Sequence, residues 1–493
     1  MSPEAFVRYT SLLIVMYIVA LNLVYLALTV VAFGGLRKYV ARLKSLDIQD
    51  LLYSAGTIPM AILVPAYNEE ATIVASVRSF LTLNYPDYEV VIVNDGSNDA
   101  TLQSLVDAFD LAPADRLPTS TVATAVVRAV YHGSTHPNLW VIDKENGGKA
   151  DALNVGLNYS RSPVFCALDA DTILESEALL RVVRPFLEDT TTIAAGGIIR
   201  IANGCRIDGG VVEEIMVPAK TLPRLQVVEY LRAFLAARVG WDAVGGTLII
   251  SGAFGAFRRS LVAEIGGYSP ETVGEDMELV VRLHRHCRER QIPYRVAFLA
   301  DPVAWTEAPE SLTVLGSQRE RWQRGLAQVL MKHRDMILRP KYGTPGMVSM
   351  PYFVLFELMG PLMEILGYAT IALAAMLGII SPIYLLAFVI LGISFGTLLS
   401  LSALALEELS FRRYRRGGDL VRLFFISILD GIGFRQLVSY WRVKGMVRAL
   451  RTRRATRWDA IPRKGFGDPA SGPSARSAGA GSAPADRRVA ASR

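Results

Sequence analysis

Ser11 to Phe33 is a run of 23 residues, mostly apolar and without a charge. A helix rises about 1.5 Å per residue, so such a run can cross the roughly 30 Å hydrocarbon core of a bilayer. A cleaved signal peptide is disfavoured, because its apolar region is shorter and ends at a small-residue cleavage site. Arg37, Lys38, Arg42 and Lys44 follow at once and assign that end to the cytoplasm. Tyr352 to Ile379 and Tyr384 to Leu404 are two further apolar runs. Their uncharged link around Ser381-Pro382 is expected outside, and Arg412, Arg413, Arg415 and Arg416 then return the chain to the cytoplasm. Residues from about 45 to 345 are therefore expected inside the cell, in a multi-pass protein of the plasma (inner) membrane.

The stretch Val421 to Trp441 is apolar in patches but holds Asp430, Arg435 and two glycines, with basic residues on both flanks. A full crossing would place the basic tail outside, against the positive-inside tendency, so an interfacial or re-entrant helix pair is favoured over a third crossing. Hydrophobic residues at 51% and charged residues at 20% agree with a membrane protein. The net charge of +6 is unevenly spread. From Arg442 onward there are 13 Lys/Arg against 3 Asp/Glu, which leaves the rest of the chain slightly acidic. A basic segment beside apolar helices reads as a topology signal and a contact for membrane lipids, so no nucleic-acid partner is expected. Cys166, Cys205 and Cys287 are scattered and odd in number, with neither metal-ligand spacing nor a disulfide framework. Beyond Gly467 the Ala, Gly, Ser, Pro and Arg composition cannot bury a core and reads as disordered.

Between the membrane runs, Met60 to Val64, Glu89 to Val93, Leu139 to Ile142 and Val164 to Leu168 read as buried strands. Helical patterns such as Glu69 to Leu83 and Lys149 to Tyr159 separate them. This alternation predicts an α/β layer with a mostly parallel sheet, inserted between transmembrane helices. The expected units are 1–45, a membrane helix with its basic flank; 46–345, the cytoplasmic domain with interfacial helices; 346–410, two membrane helices; 411–466, an interfacial, re-entrant or third membrane segment with its basic flank; and 467–493, a disordered tail. Ligands in such sheets sit outside the carboxyl ends of the strands, so the polar residues after each run matter most.

Tyr67-Asn68-Glu69-Glu70 follows the first strand, and Asn94-Asp95-Gly96 closes the second. Each alone also reads as an ordinary loop or helix start. Gly147-Gly148-Lys149 opens a helix with backbone N–H groups and a cation, an anion site that lacks the P-loop spacing. Asp169-Ala170-Asp171 closes a buried strand with two carboxylates one residue apart, able to hold a hard divalent cation that also takes phosphate oxygens. Gly274-Glu275-Asp276 precedes an amphipathic helix, where Asp276 is either a general base or a helix-start carboxylate. Gln318-Arg319-Glu320-Arg321-Trp322 lies on another helix, with a cation for phosphate and a ring for a sugar face.

Taken in order, the motifs from Pro65 to Trp322 closely resemble the membrane-bound family 2 glycosyltransferases, which include cellulose, chitin, hyaluronan and poly-N-acetylglucosamine synthases. The resemblance implies a nucleotide-sugar-binding domain of the GT-A type and inverting transfer. It implies that Tyr67, Glu69 and Asp95 contact the nucleobase and ribose, Lys149 the nucleotide or its diphosphate, and Asp169 the ribose or metal. Asp171 would coordinate Mg2+ or Mn2+, and Asp276 would be the base, with Gly274 standing where the family pattern has threonine. Gln318, Arg321 and Trp322 match the Gln-x-x-Arg-Trp signature at the diphosphate and acceptor end. Ser251 and Gly252 fall where relatives line the acceptor site, without the cysteine of cellulose synthases, which weakens any specific claim for cellulose.

The expected reaction is transfer from a nucleotide-diphosphate sugar, UDP-glucose or UDP-N-acetylglucosamine, to a growing β-linked polysaccharide, coupled to export with or without a partner subunit. Non-processive glycosylation of a membrane lipid is the alternative, and an inactive scaffold or a transporter is disfavoured by the intact acidic set. Glu357 and Glu364 stand seven residues apart on one face of an apolar helix, with Gly360-Pro361 between them. Intramembrane carboxylates are costly and face a polar path or a partner. They are expected to line or brace a product path, or else to pair with arginine or backbone groups near the interface.

Overall fold

Strands β1 (Met60–Ala66), β2 (Tyr88–Asn94) and β6 (Val164–Leu168) are continuous apolar runs because both of their faces are covered. The computed structural model describes residues 2–45, 56–208, 210–379, 382–411, 413–414 and 416–451. Side chains alternate across a strand. Ile62 and Val64 of β1 therefore join one core with Ile73, Val77, Phe80 and Leu105, while Ala61 and Leu63 join another with Leu153, Leu157, Leu279 and Leu283. Helices Ile73–Leu81, Thr101–Phe109 and Ala178–Glu188 supply the first layer, and helices Lys149–Tyr159 and Glu275–Glu289 the second.

Among the described residues the sheet has ten strands, in the order β3-β4-β5-β2-β1-β6-β11-β8-β12-β7. The other members are β3 (Leu111–Pro113), β4 (Val127–Gly133), β5 (Leu139–Lys144), β7 (Ile173–Leu174), β8 (Thr192–Ile201), β11 (Phe254–Arg258) and β12 (Arg295–Thr306). A separate hairpin pairs β9 (Arg206–Asp208) with β10 (Val211–Glu214). Its centre, β5-β2-β1-β6, is parallel, as expected from the strand–helix alternation. The flanks are mixed: β3, β4, β7 and β11 run antiparallel to their neighbours, because short connections and the return of β11 between β6 and β8 reverse the chain. The register sets Ala66 beside Asn94 and Leu63 beside Ala167, so β1 and β2 end at one level and β6 ends two residues short of them. The chain leaves β1 first toward β2 and later returns to its other side at β6, which opens a crevice at those ends.

Among the described residues, two helices long and apolar enough to cross a membrane flank this domain, Pro3–Ala41 and Pro345–Met376. Helix Pro382–Ser410 covers the third apolar run, while Ser381 of the expected link, Arg412, Arg415 and the tail from 467 lie outside the described residues. Val421 to Trp441 falls on two helices, Gly417–Leu429 and Arg435–Arg451, separated by a break. The break is at Ile432 (φ −116°, ψ 98°) and Gly433 (φ 90°, ψ −48°), the latter a conformation that favours glycine. Arg200 of β8 and Glu407 of helix Pro382–Ser410 form a fully buried ion pair at 2.5 Å, fastening the sheet to that helix. All three cysteines are free thiols.

Candidate active site

The loops after β1 and β2 are zipped together by side chain-to-backbone hydrogen bonds. Asn68 N–H donates to Ser97 Oγ at 3.0 Å, and Asn98 N–H to Asn68 Oδ1 at 2.9 Å. Glu69 N–H donates to Thr101 Oγ1 at 2.9 Å, and the Glu69 carboxylate accepts from Thr72 Oγ1 at 2.8 Å. Tyr67 lies half-buried at the start of this loop. Asp95 is fully buried and holds the next loop in place. Its Oδ1 accepts from Lys144 Nζ at 2.5 Å and Gly147 N–H at 2.9 Å, and its Oδ2 from Gly148 N–H at 2.8 Å. Both oxygens are thus engaged within the protein, and the visible work of Asp95 is to shape the entry to Lys149.

Lys149 connects the end of β6 to the Gly274-Glu275-Asp276 segment. Its Nζ lies 2.7 Å from Asp169 Oδ1 and 3.1 Å from Glu275 Oε1. Burial opposes the lysine charge, but Asp169 and Glu275 outweigh it and hold the pKa above its ordinary value. Asp276 accepts from Gly252 N–H at 3.1 Å and from Met277 N–H at 2.8 Å. Burial, and then the charge of Glu275, push the Asp276 carboxyl above the usual range, while Lys149, the Met277 amide and Arg238 pull it down. Ser251 and Gly252 line the same concavity as Lys149, Tyr268, Glu275 and Asp276. A Cβ at Gly252 would lie 2.8 Å from Lys149 Nζ, so the missing side chain there makes room for the cation.

Asp171 is buried, with Thr306 Oγ1 donating to its Oδ2 at 3.3 Å, while Asp169 stays partly exposed. No group of three or more His, Cys, Asp or Glu residues able to hold a metal is found among the described residues. Two carboxylates at one strand end suit a hard cation whose remaining oxygens come from a diphosphate and water.

Helix Leu312–Lys332 carries the five-residue motif. Gln318 is buried and its Oε1 has no hydrogen-bond partner among the described residues. Arg321 is half-buried and Trp322 is 45% exposed, which leaves much of its indole open to a ligand. The intervening positions anchor the helix. Arg319 pairs with Glu229 at 2.6 Å and lies 4.2 Å over the Trp322 ring, and Glu320 pairs with Lys444 at 2.7 Å and with Arg448. Glu357 and Glu364 are each paired: Glu357 with Arg442 at 3.1 Å, and Glu364 with Arg435 at 3.6 Å and Ser439 Oγ at 2.5 Å.

Asp95, Lys149, Asp169, Asp276, Ser251 and Gly252 thus form one chain of contacts, with Tyr67 and Glu69 on the adjoining loop. Gln318, Arg321 and Trp322 belong to a second element that reaches this chain through Gly325. Sequence reasoning passed over Lys144, a fully buried cation shared by Asp95 and Asp151, and Glu275, the second carboxylate on Lys149. Lys144 ends β5, so its strand-end position was a usable signal.

The mixed α/β sheet, flanked by two helices of membrane-spanning length, is a GT-A-like domain. A profile of the family "Glycosyltransferase like family 2" matches residues 58–325, from just before β1 through the Gln-x-x-Arg-Trp motif. The chain belongs to this family. Among curated proteins it is similar to the poly-beta-1,6-N-acetyl-D-glucosamine synthases of Staphylococcus epidermidis, at 26% identity over 273 residues, and Staphylococcus aureus, at 27% over 274. In both cases the match covers 55% of this chain and 56% of the relative, so it spans little more than half of those proteins. Among solved structures, a mannosyltransferase from Pyrobaculum calidifontis in complex with GDP-Man and Mn2+ aligns at 19% identity. That alignment has a TM-score of 0.47 and covers 84% of this chain and 99% of the mannosyltransferase.

Proposed function

We propose that the protein transfers a sugar, with inversion, from a nucleotide-diphosphate sugar to a growing β-linked polysaccharide at the cytoplasmic membrane face. The observation that carries this reading is the Lys149 bridge, which joins Asp169 at the end of β6 to Glu275, the neighbour of Asp276. Donor carboxylates, cation and base thereby stand in one continuous site. UDP-N-acetylglucosamine is the favoured donor, because the curated relatives are synthases of an N-acetylglucosamine polymer; UDP-glucose is the competitor.

In this reading Tyr67 and Glu69 bind the nucleoside, and Asp95 contributes through the glycine loop it holds. Asp169 and Asp171 are the ligands for Mg2+ or Mn2+, which when bound would offset charge on the diphosphate. Lys149 and Arg321 add positive charge on the same group. Asp276 takes the proton from the acceptor hydroxyl as its oxygen bonds to the anomeric carbon. The bond from that carbon to the diphosphate breaks on the opposite side, and the nucleoside diphosphate leaves. Gln318 offers its carbonyl, which has no partner among the described residues, to the acceptor end, Trp322 its exposed ring, and Ser251 and Gly252 the wall beside Asp276. The arginine pairing of Glu357 and Glu364 supports a bracing role for them beside a membrane path, and leaves export free to be intrinsic or to use a partner subunit.

The test is incubation of the purified full chain with radiolabelled UDP-N-acetylglucosamine or UDP-glucose, with Mg2+ or Mn2+, followed by sizing of the product. A long polymer from one donor, lost in Asp276→Asn, is the expected result. A short lipid-linked product would replace the polymer reading with lipid glycosylation, and wild-type transfer rates in Asp276→Asn would overturn the mechanism.

A further inference from the structure

Pro361 has no N–H to close the helical hydrogen bond to the carbonyl of Glu357. In a segment apolar enough to cross a membrane, a carbonyl opened in this way must find another donor. Two donors from other elements supply it: Gln323 Nε2 at 3.2 Å and Arg442 Nη2 at 2.5 Å. Arg442 also donates from Nε to Gln323 Oε1 at 2.8 Å and pairs with the Glu357 carboxylate at 3.1 Å. Tyr25 of the N-terminal helix and Tyr352 donate to that carboxylate at 2.9 Å and 3.1 Å. Gln323 is the residue after Trp322. The N-terminal helix, the Glu357 segment and helix Arg435–Arg451 therefore meet at Glu357, whose carbonyl is also held by Gln323, the neighbour of the exposed tryptophan of the motif.

The packing around this junction leaves little slack. A Cβ on Gly316 would lie 2.8 Å from the Trp441 indole, so helices Leu312–Lys332 and Arg435–Arg451 touch where glycine removes the side chain. Gly445 lies in the same way against the backbone of Glu320. The Lys444 and Arg448 pairs with Glu320 lie on the same seam. A shift of helix Arg435–Arg451 must therefore be carried to helix Leu312–Lys332 rather than absorbed between them.

We propose that Arg442 and Gln323, anchored on the Glu357 carbonyl that Pro361 leaves open, are positioning residues that set Trp322 at the acceptor end. Transfer to the acceptor is thereby coupled to the arrangement of the membrane helices. This rests on the transferase reading above, with Trp322 at the acceptor. Neither Arg442 nor Gln323 touches the donor site; they act through the tryptophan.

The experiment compares the wild-type full chain, Arg442→Gln, Arg442→Lys and Pro361→Ala in lipid vesicles with UDP-N-acetylglucosamine and UDP-glucose. Donor KM, nucleotide release without acceptor, and product length are measured together. The expected result for Arg442→Gln is a donor KM and a nucleotide release within about twofold of wild type, with extension slowed by roughly tenfold or more, because sub-ångström misplacement is amplified at the reacting end. Arg442→Lys restores the charge without the fork that bridges carbonyl and amide, so its rescue is partial. Pro361→Ala returns an N–H to the Glu357 carbonyl and competes with Gln323 and Arg442 for it, so it changes product length in the same direction. Iodide quenching of the fluorescence assigned to Trp322, by subtraction of Trp322→Phe, reads its setting without any sugar. Unchanged quenching and product length in Arg442→Gln would overturn the proposal, as would a donor KM that worsens as much as extension. If wild type consumes neither nucleotide sugar, the transferase reading fails, and quenching alone then decides whether Arg442 positions Trp322.

Discussion

Gly274 and Gly325 meet backbone to backbone: a Cβ on Gly325 would lie 2.9 Å from the Gly274 nitrogen, and one on Gly274 would lie 3.2 Å from the Gly325 Cα. This contact joins the loop of Asp276 to the helix of Gln318–Trp322. It also gives a physical reason for glycine where the family pattern carries threonine, since a branched side chain there would be driven into the facing helix.

Gly325→Ala is expected to lower transfer by on the order of tenfold to a hundredfold, because backbone must move to admit the methyl group. Gly274→Ala, with a looser nearest contact, is expected to lose less. Initial rates together with thermal melting of the same preparations check the order of the two.

The Asp276 carboxyl is held above the usual range by burial and Glu275. A base works only when ionised, so transfer should rise with pH across a limb displaced upward from an ordinary carboxylate. Glu275→Gln removes the adjacent negative charge and should move that limb to lower pH, which a pH–rate profile will show. Because the folded pKa exceeds the unfolded one, ionising Asp276 costs stability as pH rises between the two. Asp276→Asn should therefore melt higher than wild type at neutral pH while losing transfer.

Lys144 has no exposed side-chain surface, and its Nζ lies 2.5 Å from Asp95 and 2.7 Å from Asp151. Lys144→Met would leave buried carboxylates without their cation, at a cost of about 3–5 kcal/mol. Denaturant unfolding should show that loss, and donor affinity should fall with it, because Asp95 also holds Gly147 and Gly148.

Arg200 and Glu407 present the same physics between the sheet and a membrane-side helix. Glu407→Gln should destabilise by about 3–5 kcal/mol, since it strands a buried guanidinium. A double variant, Arg200→Met with Glu407→Leu, should recover most of that loss in melting experiments.

Much of the fold and of the candidate site is legible in the amino-acid sequence. The apolar runs that became β1, β2, β5 and β6 are visible because strands covered on both faces need uninterrupted apolar residues. Asp95 and Asp169 stood out because polar residues that directly follow such runs fall at the ligand-binding edge of a parallel sheet, and Lys149 and Asp276 because they open helices, where a cation beside glycine N–H groups and a carboxylate are chemically useful. The Lys144 pair with Asp95 was not visible, since 49 residues separate them and only the β2–β5 register brings them together. The antiparallel return of β11 was equally hidden, because a buried apolar run does not state its direction.

The amino-acid sequence by itself determined which segments leave water, where strands stop and which residue types wait at those ends. Hydrophobic periodicity and turn chemistry are local properties, readable within a few residues. Only the tertiary structure decided which charges meet. It gave Lys149 two carboxylates, took both oxygens of Asp95 into the protein, and joined Glu357 to Arg442 across 85 residues. Coulomb and hydrogen-bond energies depend on distance and burial, and those are fixed only when separate elements pack against one another.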